Sequence, residues 1–387
     1  MHARERRYSI VLGQRLPWPE MLARAREAEA LGLDGLFLVD HFFGLQDVAQ
    51  ATHEAYTMLA ALAPFTQRLR LGIMVCGNTY RNPAFLLKQA ITVDHISGGR
   101  VDFGVGAGWA EREHEAYGFD FPSAGERVER FAEALEIWRL LQAQERTTFD
   151  GTHYHLLDAP FQPKSLQPGG LPVLIGAHKP RMLRLAARYA DIWNTGGTPG
   201  EAAATNRQMN DACAAEGRDP GDLVRSVSPA LNLLESPEAF AAGAEAYHAA
   251  GFSHIYFPWP RTDAELPVLR VVARDIIPSL RTGQGIPTPV ASSSRETRNQ
   301  KRETISEIAD PTARNVLDAL LDHPGERLDG REIMALTGIS SHAAVTRAFV
   351  ALRAEFADQG IAPPWSEGQR GWMIESDAAM RFKDVHP

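Results

Sequence analysis

The sequence predicts an α/β protein in which a closed barrel of parallel strands is followed by a small second domain. Eight strand-like runs alternate with amphipathic helical segments between Tyr8 and Leu280, Thr148–Pro168 interrupts them, and Arg281–Arg302 is rich in Gly, Pro and Ser. Strands separated by helices pair in parallel, because each crossover returns to the same edge of the sheet. The pattern predicts a (β/α)8 TIM barrel with a hairpin insertion over residues 1–281.

Each strand is predicted from a short apolar run bounded by Gly, Pro or polar residues. The predicted strands are Tyr8–Gly13, Gly35–Asp40, Leu69–Cys76, Val101–Val105, Pro172–Ile175, Asp191–Asn194, Val224–Leu231 and His254–Phe257. Each helix is predicted from apolar residues at helical spacing, with Gly or Pro marking several ends. The predicted helices are Trp18–Leu31, Glu54–Leu62, Ala84–Ile96, Gly125–Leu141, Pro180–Tyr189, Glu201–Glu216, Pro237–Ala250 and Leu266–Leu280. Asp150 and Gly151 predict the turn of the inserted hairpin.

The end of the chain is predicted to be a separate domain. Residues 282–302 contain little that could be buried, which predicts a linker. In residues 303–387, helices at Thr312–Leu321, Gly330–Leu336 and Ala343–Phe356 precede a hairpin at Trp365–Ile374, the order of a winged helix-turn-helix. This winged-helix-like α+β domain carries 8 Lys and Arg against 14 Asp and Glu, which disfavours nucleic acid. We expect oligomerisation or protein interaction; the alternative is a DNA-binding regulator with a ligand-sensing barrel.

Composition and charge favour a protein that acts on a small molecule. The 387 residues carry a formal net charge of −8, so polyanions and acidic membranes are not generally attracted. Neither the number nor the spacing of Cys76 and Cys213 indicates disulfides or a metal cluster. No apolar run reaches transmembrane length, and the start of the chain does not read as a signal peptide. We therefore predict a cytoplasmic homo-oligomer with a small-molecule substrate, no membrane contact and no metal.

Polar and small residues collect where the predicted strands end, which is where parallel barrels bind ligands. Asp40 and His41 follow the second strand, and an imidazole that titrates near neutral pH suits proton transfer. The alternative is a capping aspartate beside a packed histidine. Gly77 and Asn78 follow the third strand, where glycine permits close approach to a flat ligand and the amide offers a donor and an acceptor. The same pair also suits an ordinary turn.

The run Gly104-Val-Gly-Ala-Gly-Trp109 superficially resembles a dinucleotide fingerprint. A dinucleotide fingerprint needs a third glycine at a fixed offset and normally opens a helix. This run does neither, so the evidence for a Rossmann fold is weak. Gly106 and Gly108 are instead predicted to let a planar ring lie against the strand end. A loop over the barrel mouth is predicted to carry Trp109, Glu113, His114 and Tyr117, of which Trp109 and Tyr117 are expected to contact the bound ring. The alternative is a solvated loop face.

A phosphate seat is predicted where the fifth strand joins its helix at Pro180. Free backbone N–H groups, the helix dipole and cationic side chains favour an anion there. The seat consists of Gly176, Ala177, His178, Lys179 and Arg181. Thr195 and Gly196, which end the next strand, are predicted to line the same side. The sequence shows no metal-ligand spacing, nucleophile elbow or Walker loop.

Together these segments resemble the bacterial luciferase-like flavin oxidoreductases. The resemblance spans roughly Tyr8–Leu280 and rests on the order and spacing of Gly32-Leu-Asp-Gly-Leu-Phe-Leu-Val-Asp40-His41, Leu71-Gly72 through Tyr80-Arg-Asn-Pro83, Asp94-His-Ile-Ser-Gly-Gly-Arg100, Gly104-Val-Gly-Ala-Gly-Trp109, Tyr117-Gly-Phe-Asp-Phe-Pro122, Gly125-Glu-Arg-Val-Glu-Arg130 and Ala187-Arg-Tyr-Ala-Asp-Ile-Trp193. It implies a TIM barrel that holds FMN or the deazaflavin coenzyme F420 at its C-terminal mouth. The segments Asn78–Pro83 and Gly106–Trp109 look most like the F420-dependent branch.

The resemblance also implies residue roles. A non-proline cis peptide behind the flavin ring would fall near Met74 and Val75, which are therefore expected to bind the cofactor. His41 matches a histidine that acts on the substrate hydroxyl in the family's sugar-phosphate dehydrogenases, but Trp109 stands where those enzymes have a helping glutamate. His41 is thus the predicted catalytic residue, with no identified partner. The predicted function is hydride transfer between F420 and an unknown small organic substrate; the alternatives are an FMN-dependent monooxygenase that uses reduced flavin and oxygen, and a non-catalytic cofactor carrier.

Overall fold

Eight parallel strands close into a barrel in the first of two structural units, which comprise residues 1–289 and 290–387. The computed structural model describes residues 5–44, 47–262, 264–282, 310–323, 328–341, 344–345, 347–349, 351–352, 365–368 and 371–374. The strands of the first unit are β1 (Arg7–Val11), β2 (Gly35–Leu38), β3 (Arg70–Ile73), β4 (Cys76–Gly77), β5 (Val101–Gly106), β6 (Arg146–Asp150), β7 (His155–Pro160), β8 (Val173–Gly176), β9 (Ile192–Gly197), β10 (Val224–Pro229) and β11 (His254–Pro258).

The barrel order is β1, β2, β3, β5, β8, β9, β10, β11, and β11 pairs with β1 to close the ring. All of these pairings are parallel. Phe37, Leu174, Ile192 and Tyr256, from four different strands, meet in a buried cluster separate from the main core. Because side chains of non-neighbouring strands meet only across the interior, this cluster fills the barrel. The predicted TIM barrel is confirmed.

Helices connect these strands and cover the outside of the barrel. They are α1 (Trp18–Ala30), α2 (Ala55–Leu62), α3 (Pro83–Ser97), α4 (Glu111–Tyr117), α5 (Ala124–Ala143), α6 (Pro180–Tyr189), α7 (Pro199–Ala215), α8 (Pro237–Ala249), α9 (Glu265–Val271) and α10 (Ile277–Thr282). Side chains cap several starts, as Asn82 does for α3 by accepting from the N–H groups of Ala84 and Phe85. Most of these helices match the sequence prediction within two residues.

Two elements at the barrel mouth differ from the sequence prediction. The third strand is not continuous, because the Met74–Val75 peptide is cis and separates β3 from β4. This cis peptide lies where the resemblance implies it. The predicted loop after β5 contains helix α4, which ends at Gly118 in the left-handed conformation. Apolar periodicity could not reveal α4, because the residues that it buries are Glu113 and His114.

The inserted hairpin is confirmed, since β6 and β7 pair antiparallel. One carboxylate on α5 holds the segment that joins these strands. Glu133 accepts the backbone N–H groups of Thr152, His153 and Tyr154 at 2.7, 2.9 and 3.0 Å. These bonds satisfy donors that the turn would otherwise leave unpaired, and they attach the hairpin to the barrel wall.

The second unit contains helices α11 (Pro311–Asp322) and α12 (Gly330–Thr337). Described residues between 344 and 352 are helical, and the strands β12 (Trp365–Gly368) and β13 (Gly371–Ile374) pair antiparallel. Val316, Leu320, Ile333 and Phe349 belong to a core of its own. The predicted order of elements is present, while the winged-helix assignment stays a prediction. Parts of two predicted elements lie outside the described residues. They are residues 283–302 of the predicted linker, and Ala343 and residues 353–356 of the third predicted helix.

A half-buried histidine on α8 predicts a pH-dependent loss of stability. His248 Nδ1 donates to the Phe252 carbonyl at 2.7 Å, so Nε2 accepts the Tyr8 hydroxyl at 2.7 Å. Burial lowers the pKa of His248 below its ordinary value. As the pH falls, the unfolded chain therefore takes up a proton on His248 at a higher pH than the folded protein does. The stability that the neutral imidazole contributes is present above about pH 6.5 and is lost as the pH falls through the folded-state pKa.

Between about pH 8 and pH 5, the free energy of unfolding should fall less in His248→Gln than in the wild type, although the variant starts from a lower value. Urea unfolding at a series of pH values measures the difference. His155→Gln, on the exposed hairpin, is the matched control and should follow the wild type. Parallel pH profiles for His248→Gln and the wild type would contradict the argument.

Candidate active site

A cavity opens at the carboxyl ends of β2, β4, β5 and β8. The cavity and its open mouth together span about 750 Å³ of space between atoms. The structure brings together eleven of the predicted site residues in its lining: Asp40, His41, Val75, Gly77, Gly106, Gly108, Trp109, Gly176, Ala177, His178 and Lys179. The lining is completed by Cys76, Tyr80, Ala107, Ala110 and Met182.

One wall of the cavity consists of glycines around a single valine. A Cβ added to Gly106 would lie 3.0 Å from Val75 Cγ2, and one added to Gly176 would lie 3.3 Å from the same atom. Side chains at these positions would have to displace Val75 or take up the space in front of it. The wall therefore presents Val75 and bare backbone to a flat ligand.

His41 has a carboxylate partner that sequence reasoning left unidentified. Glu113 accepts from His41 Nδ1 at 3.0 Å and from the Phe42 N–H at 2.7 Å, and its side chain is 0% exposed. Burial alone would raise the pKa of the Glu113 carboxyl, but these hydrogen bonds and one from Tyr80 hold it below its usual value. Glu113 is thus charged at neutral pH. It keeps the proton of a neutral His41 on Nδ1 and leaves Nε2 for a ligand.

Tyr80 bonds this carboxylate, and His114 packs against Tyr80. The Tyr80 hydroxyl donates to Glu113 at 2.7 Å, and burial together with this bond raises the pKa of the phenol. The Tyr80 ring stacks on His114 with centroids 4.5 Å apart. His114 bonds Thr79 Oγ1 at 2.6 Å and the Ala110 carbonyl at 2.8 Å. Helix α4 is therefore fastened to the segment that follows β4.

Asp40 takes part in a buried ion pair. Arg81 donates to both Asp40 oxygens, at 2.8 and 2.9 Å, and to Glu54 at 2.7 Å. Asp40 also accepts the Gly77 N–H at 3.0 Å. Burial alone would lower the pKa of the Arg81 guanidinium, but the two carboxylates raise it above its ordinary value. The pair ties the end of β2 to β4, and the charge of Asp40 is compensated before any ligand arrives.

The predicted phosphate seat is partly assembled. His178 and Lys179 line the cavity, and α6 begins at Pro180 without a side-chain cap on its first N–H groups. Arg181 lies outside the lining and donates to Glu129 at 3.2 Å. An anion at this end would therefore meet backbone N–H groups, His178 and Lys179.

Besides Arg181, five predicted ligand-site residues lie outside the cavity lining: Met74, Asn78, Tyr117, Thr195 and Gly196. Met74 packs against the cluster inside the barrel. Tyr117 packs on Phe42 with ring centroids 5.2 Å apart and is more than half exposed. Gly196 is exposed near the end of β9.

Asn78 and Thr195 each keep a buried polar atom unpaired. Asn78 Nδ2 donates to the Tyr154 hydroxyl at 3.3 Å. Asn78 Oδ1 and Thr195 Oγ1 have no hydrogen-bond partner in the part of the chain that the structure describes. A buried polar group without a partner costs about 1 to 3 kcal/mol, so such atoms favour a ligand that supplies one.

Sequence reasoning missed the supports of the site. Glu113 was predicted only as part of a loop over the mouth, while Tyr80 and Arg81 entered only as letters of a motif. One signal could have revealed α4, because a glycine such as Gly118 commonly ends a helix. Arg81 carries no local signal, since it follows β4 while both of its carboxylate partners, Asp40 and Glu54, follow β2.

The two cysteines are free and buried. Across the described ranges, no group of three or more His, Cys, Asp and Glu side chains is arranged to hold a metal ion. None of the helices with described coordinates is both long and apolar enough to cross a bilayer.

The fold and the cavity define a TIM-barrel protein with a ligand site at the C-terminal rim of its strands. Residues 5–308 match the family described as luciferase-like monooxygenase. The chain therefore belongs to the luciferase-like monooxygenase family, which confirms the family resemblance seen in the sequence.

Two curated relatives share a name. The chain is 32% identical over 217 residues to the F420-dependent glucose-6-phosphate dehydrogenase of Kineococcus radiotolerans, which covers 55% of this chain and 64% of that protein. It is 30% identical over 261 residues to the protein of the same name from Microbacterium testaceum, with 65% and 77% covered. The chain spans about half to two thirds of the first such relatives.

A solved structure has the same fold. It is an F420-dependent secondary alcohol dehydrogenase in complex with an F420-acetone adduct, and it superposes with a TM-score of 0.62. The superposition covers 70% of this chain and 98% of that one at 18% identity. At this identity the likeness concerns the arrangement of strands and helices.

Proposed function

We propose that this protein transfers a hydride between coenzyme F420 and a small organic substrate. The proposal is carried by the His41–Glu113 pair, which lies at the edge of a cavity with a flat wall around Val75. Hydride transfer to a carbonyl, or from an alcohol, needs a group that exchanges the hydroxyl proton beside a bound redox ring. The names of the curated relatives support the same cofactor.

The residues of the site fit a three-ring cofactor with an anionic tail. The ring would lie against Val75, where glycines leave the backbone bare. Asn78 and Thr195 lie outside the cavity lining, but Asn78 Oδ1 and Thr195 Oγ1 are buried and unpaired in the described structure, and we propose them as further hydrogen-bond partners of its polar groups. The start of α6 and Lys179 would hold the tail.

When bound, F420 supplies a ring carbon, at the position of flavin N5, that accepts or returns a hydride. In the oxidative direction, the substrate loses a C–H and an O–H bond and gains a C=O bond. F420 held against Val75 would supply the hydride acceptor, and His41 Nε2 would take the hydroxyl proton. In the reductive direction, His41 returns this proton to the oxygen. Glu113 orients the imidazole, and its charge stabilises the imidazolium that forms.

Titration of the full-length protein with F420 and with FMN, followed by cofactor fluorescence, tests the cofactor assignment. We expect F420 to bind more tightly. Gly176→Val is expected to weaken F420 binding by at least about tenfold, or 1.4 kcal/mol, because the new side chain takes up the space in front of Val75. Gly200→Val is the matched control, since a Cβ at this exposed position has no atom within 4 Å.

Oxidation of a panel of secondary alcohols, followed by the visible absorbance of F420, tests the reaction. Turnover with any of them supports hydride transfer. Binding of FMN without F420, together with oxygen uptake in the presence of reduced FMN, would replace the proposal by the monooxygenase alternative. Failure to bind either cofactor would refute both.

We further propose that the enzyme works in the cytoplasm as a homo-oligomer. Free, buried cysteines suit a reducing compartment, and the second unit is the candidate for oligomerisation. Sedimentation equilibrium of the full chain measures the assembly, and a monomer at micromolar concentration would contradict it.

A further inference from the structure

The edge of the cavity where the proton is exchanged is aromatic. The Trp109 ring meets the His41 ring edge to face, with centroids 5.5 Å apart and planes at 77°. Both residues line the cavity, yet Trp109 is 66% exposed. Covering a large exposed aromatic surface with an apolar group is favourable. A substrate whose oxygen reaches His41 Nε2 therefore brings the neighbouring substituent towards Trp109.

The two arginines near this edge do not line the cavity. Arg81 is engaged by Asp40 and Glu54 in the buried ion pair. Arg112 is exposed, and its guanidinium sits 5.7 Å from the centroid of the Phe43 ring.

The remaining charges also disfavour an anion beside His41. Among the described residues of the lining, Lys179 is the one lysine or arginine, and it follows β8, three strands around the barrel from the His41 strand β2. Glu113, directly behind His41, is negatively charged. A phosphate in front of His41 would lose water, gain no cation and be repelled by Glu113.

Resting on the proposed function, we propose that the substrate is an uncharged secondary alcohol, or the corresponding ketone, with an aromatic or other apolar substituent on the reacting carbon. Trp109 is the residue that selects it. The substituent covers the indole while the oxygen bonds His41 Nε2. Hydride and proton then move as described above, so the reaction needs no further co-reactant.

Calorimetric titration with ketones measures this selection without turnover, because a ketone cannot react with oxidised F420. The full-length protein is saturated with oxidised F420 and titrated with acetophenone, with the anionic phenylglyoxylate and with acetone. We expect acetophenone to bind at least about tenfold more tightly than either of the others. Phenylglyoxylate isolates the effect of charge, and acetone isolates the effect of the ring.

Two substitutions test the role of Trp109. Trp109→Ala is expected to weaken acetophenone binding by at least about tenfold, and Trp109→Phe by less than about threefold. With reduced F420, the loss in Trp109→Ala should appear mainly in KM for acetophenone. The F420 dissociation constant of both variants should match that of the wild type.

Three results would overturn the inference. They are equal or tighter binding of phenylglyoxylate, unchanged acetophenone binding in Trp109→Ala, and loss of F420 affinity in Trp109→Ala, which would make Trp109 a cofactor residue. Failure of the wild type to bind F420 would instead refute the proposed function. The acetophenone titration of wild type and Trp109→Ala would then be made without cofactor, and the same comparison would decide the inference.

Discussion

Replacing His41 by asparagine is expected to lower kcat by about 100-fold to 10,000-fold, while the F420 dissociation constant changes by less than about threefold. Asparagine can still donate to Glu113, but it cannot take the substrate proton. The loss should therefore fall on the chemical step rather than on binding. Steady-state turnover with the best alcohol of the panel measures the first quantity, and fluorescence titration measures the second.

Glu113→Gln is the companion variant, because it keeps an acceptor for the Phe42 N–H and removes the charge behind His41. We expect a smaller loss of kcat than in His41→Asn, because the imidazole can still take the substrate proton while the imidazolium that forms loses the stabilising charge of Glu113. A wild-type kcat in His41→Asn would show that the proton is exchanged with another group.

Replacing Arg81 by methionine is expected to lower the free energy of unfolding by about 3 to 5 kcal/mol. The guanidinium is 8% exposed and the Asp40 carboxylate 4%, so its removal leaves a buried charge without its counter-ion. Urea unfolding at neutral pH measures the effect.

Two controls separate charge from side-chain size. Arg139→Met removes an exposed arginine that pairs with Glu136, and such surface pairs contribute at most about 1 kcal/mol. The double variant Asp40→Asn, Arg81→Met removes both buried charges and should be more stable than Arg81→Met alone. Similar losses for Arg81→Met and Arg139→Met would show that the buried pair is not an exceptional source of stability.

The barrel was predictable because its signals are local. Each strand is a short apolar run, and each long helix shows its own periodicity, so their alternation alone indicates parallel pairing. The break in the third strand is different. Nothing in the run Leu71-Gly-Ile-Met-Val-Cys76 distinguishes a cis peptide from an extended strand, and only the family resemblance pointed to Met74 and Val75.

The location of the site could be predicted from the sequence, but its hydrogen bonds and ion pairs could not. A parallel barrel gathers all strand ends at one rim, so residues such as Asp40, Gly77 and Gly106 could be assigned to one cavity before their contacts were known. The partners of Asp40 and His41 could not be assigned. Arg81 and Glu113 lie 41 and 72 residues further along the chain, and such pairings depend on the closed ring.

One carboxylate joins the loops after three strands at the mouth. Glu113 accepts from the backbone at Phe42, from Tyr80 and from His41, while it sits on the helix after β5. Because the bonds share one buried anchor, these loops cannot swing apart one at a time. The His41 edge of the cavity is therefore formed before a ligand binds.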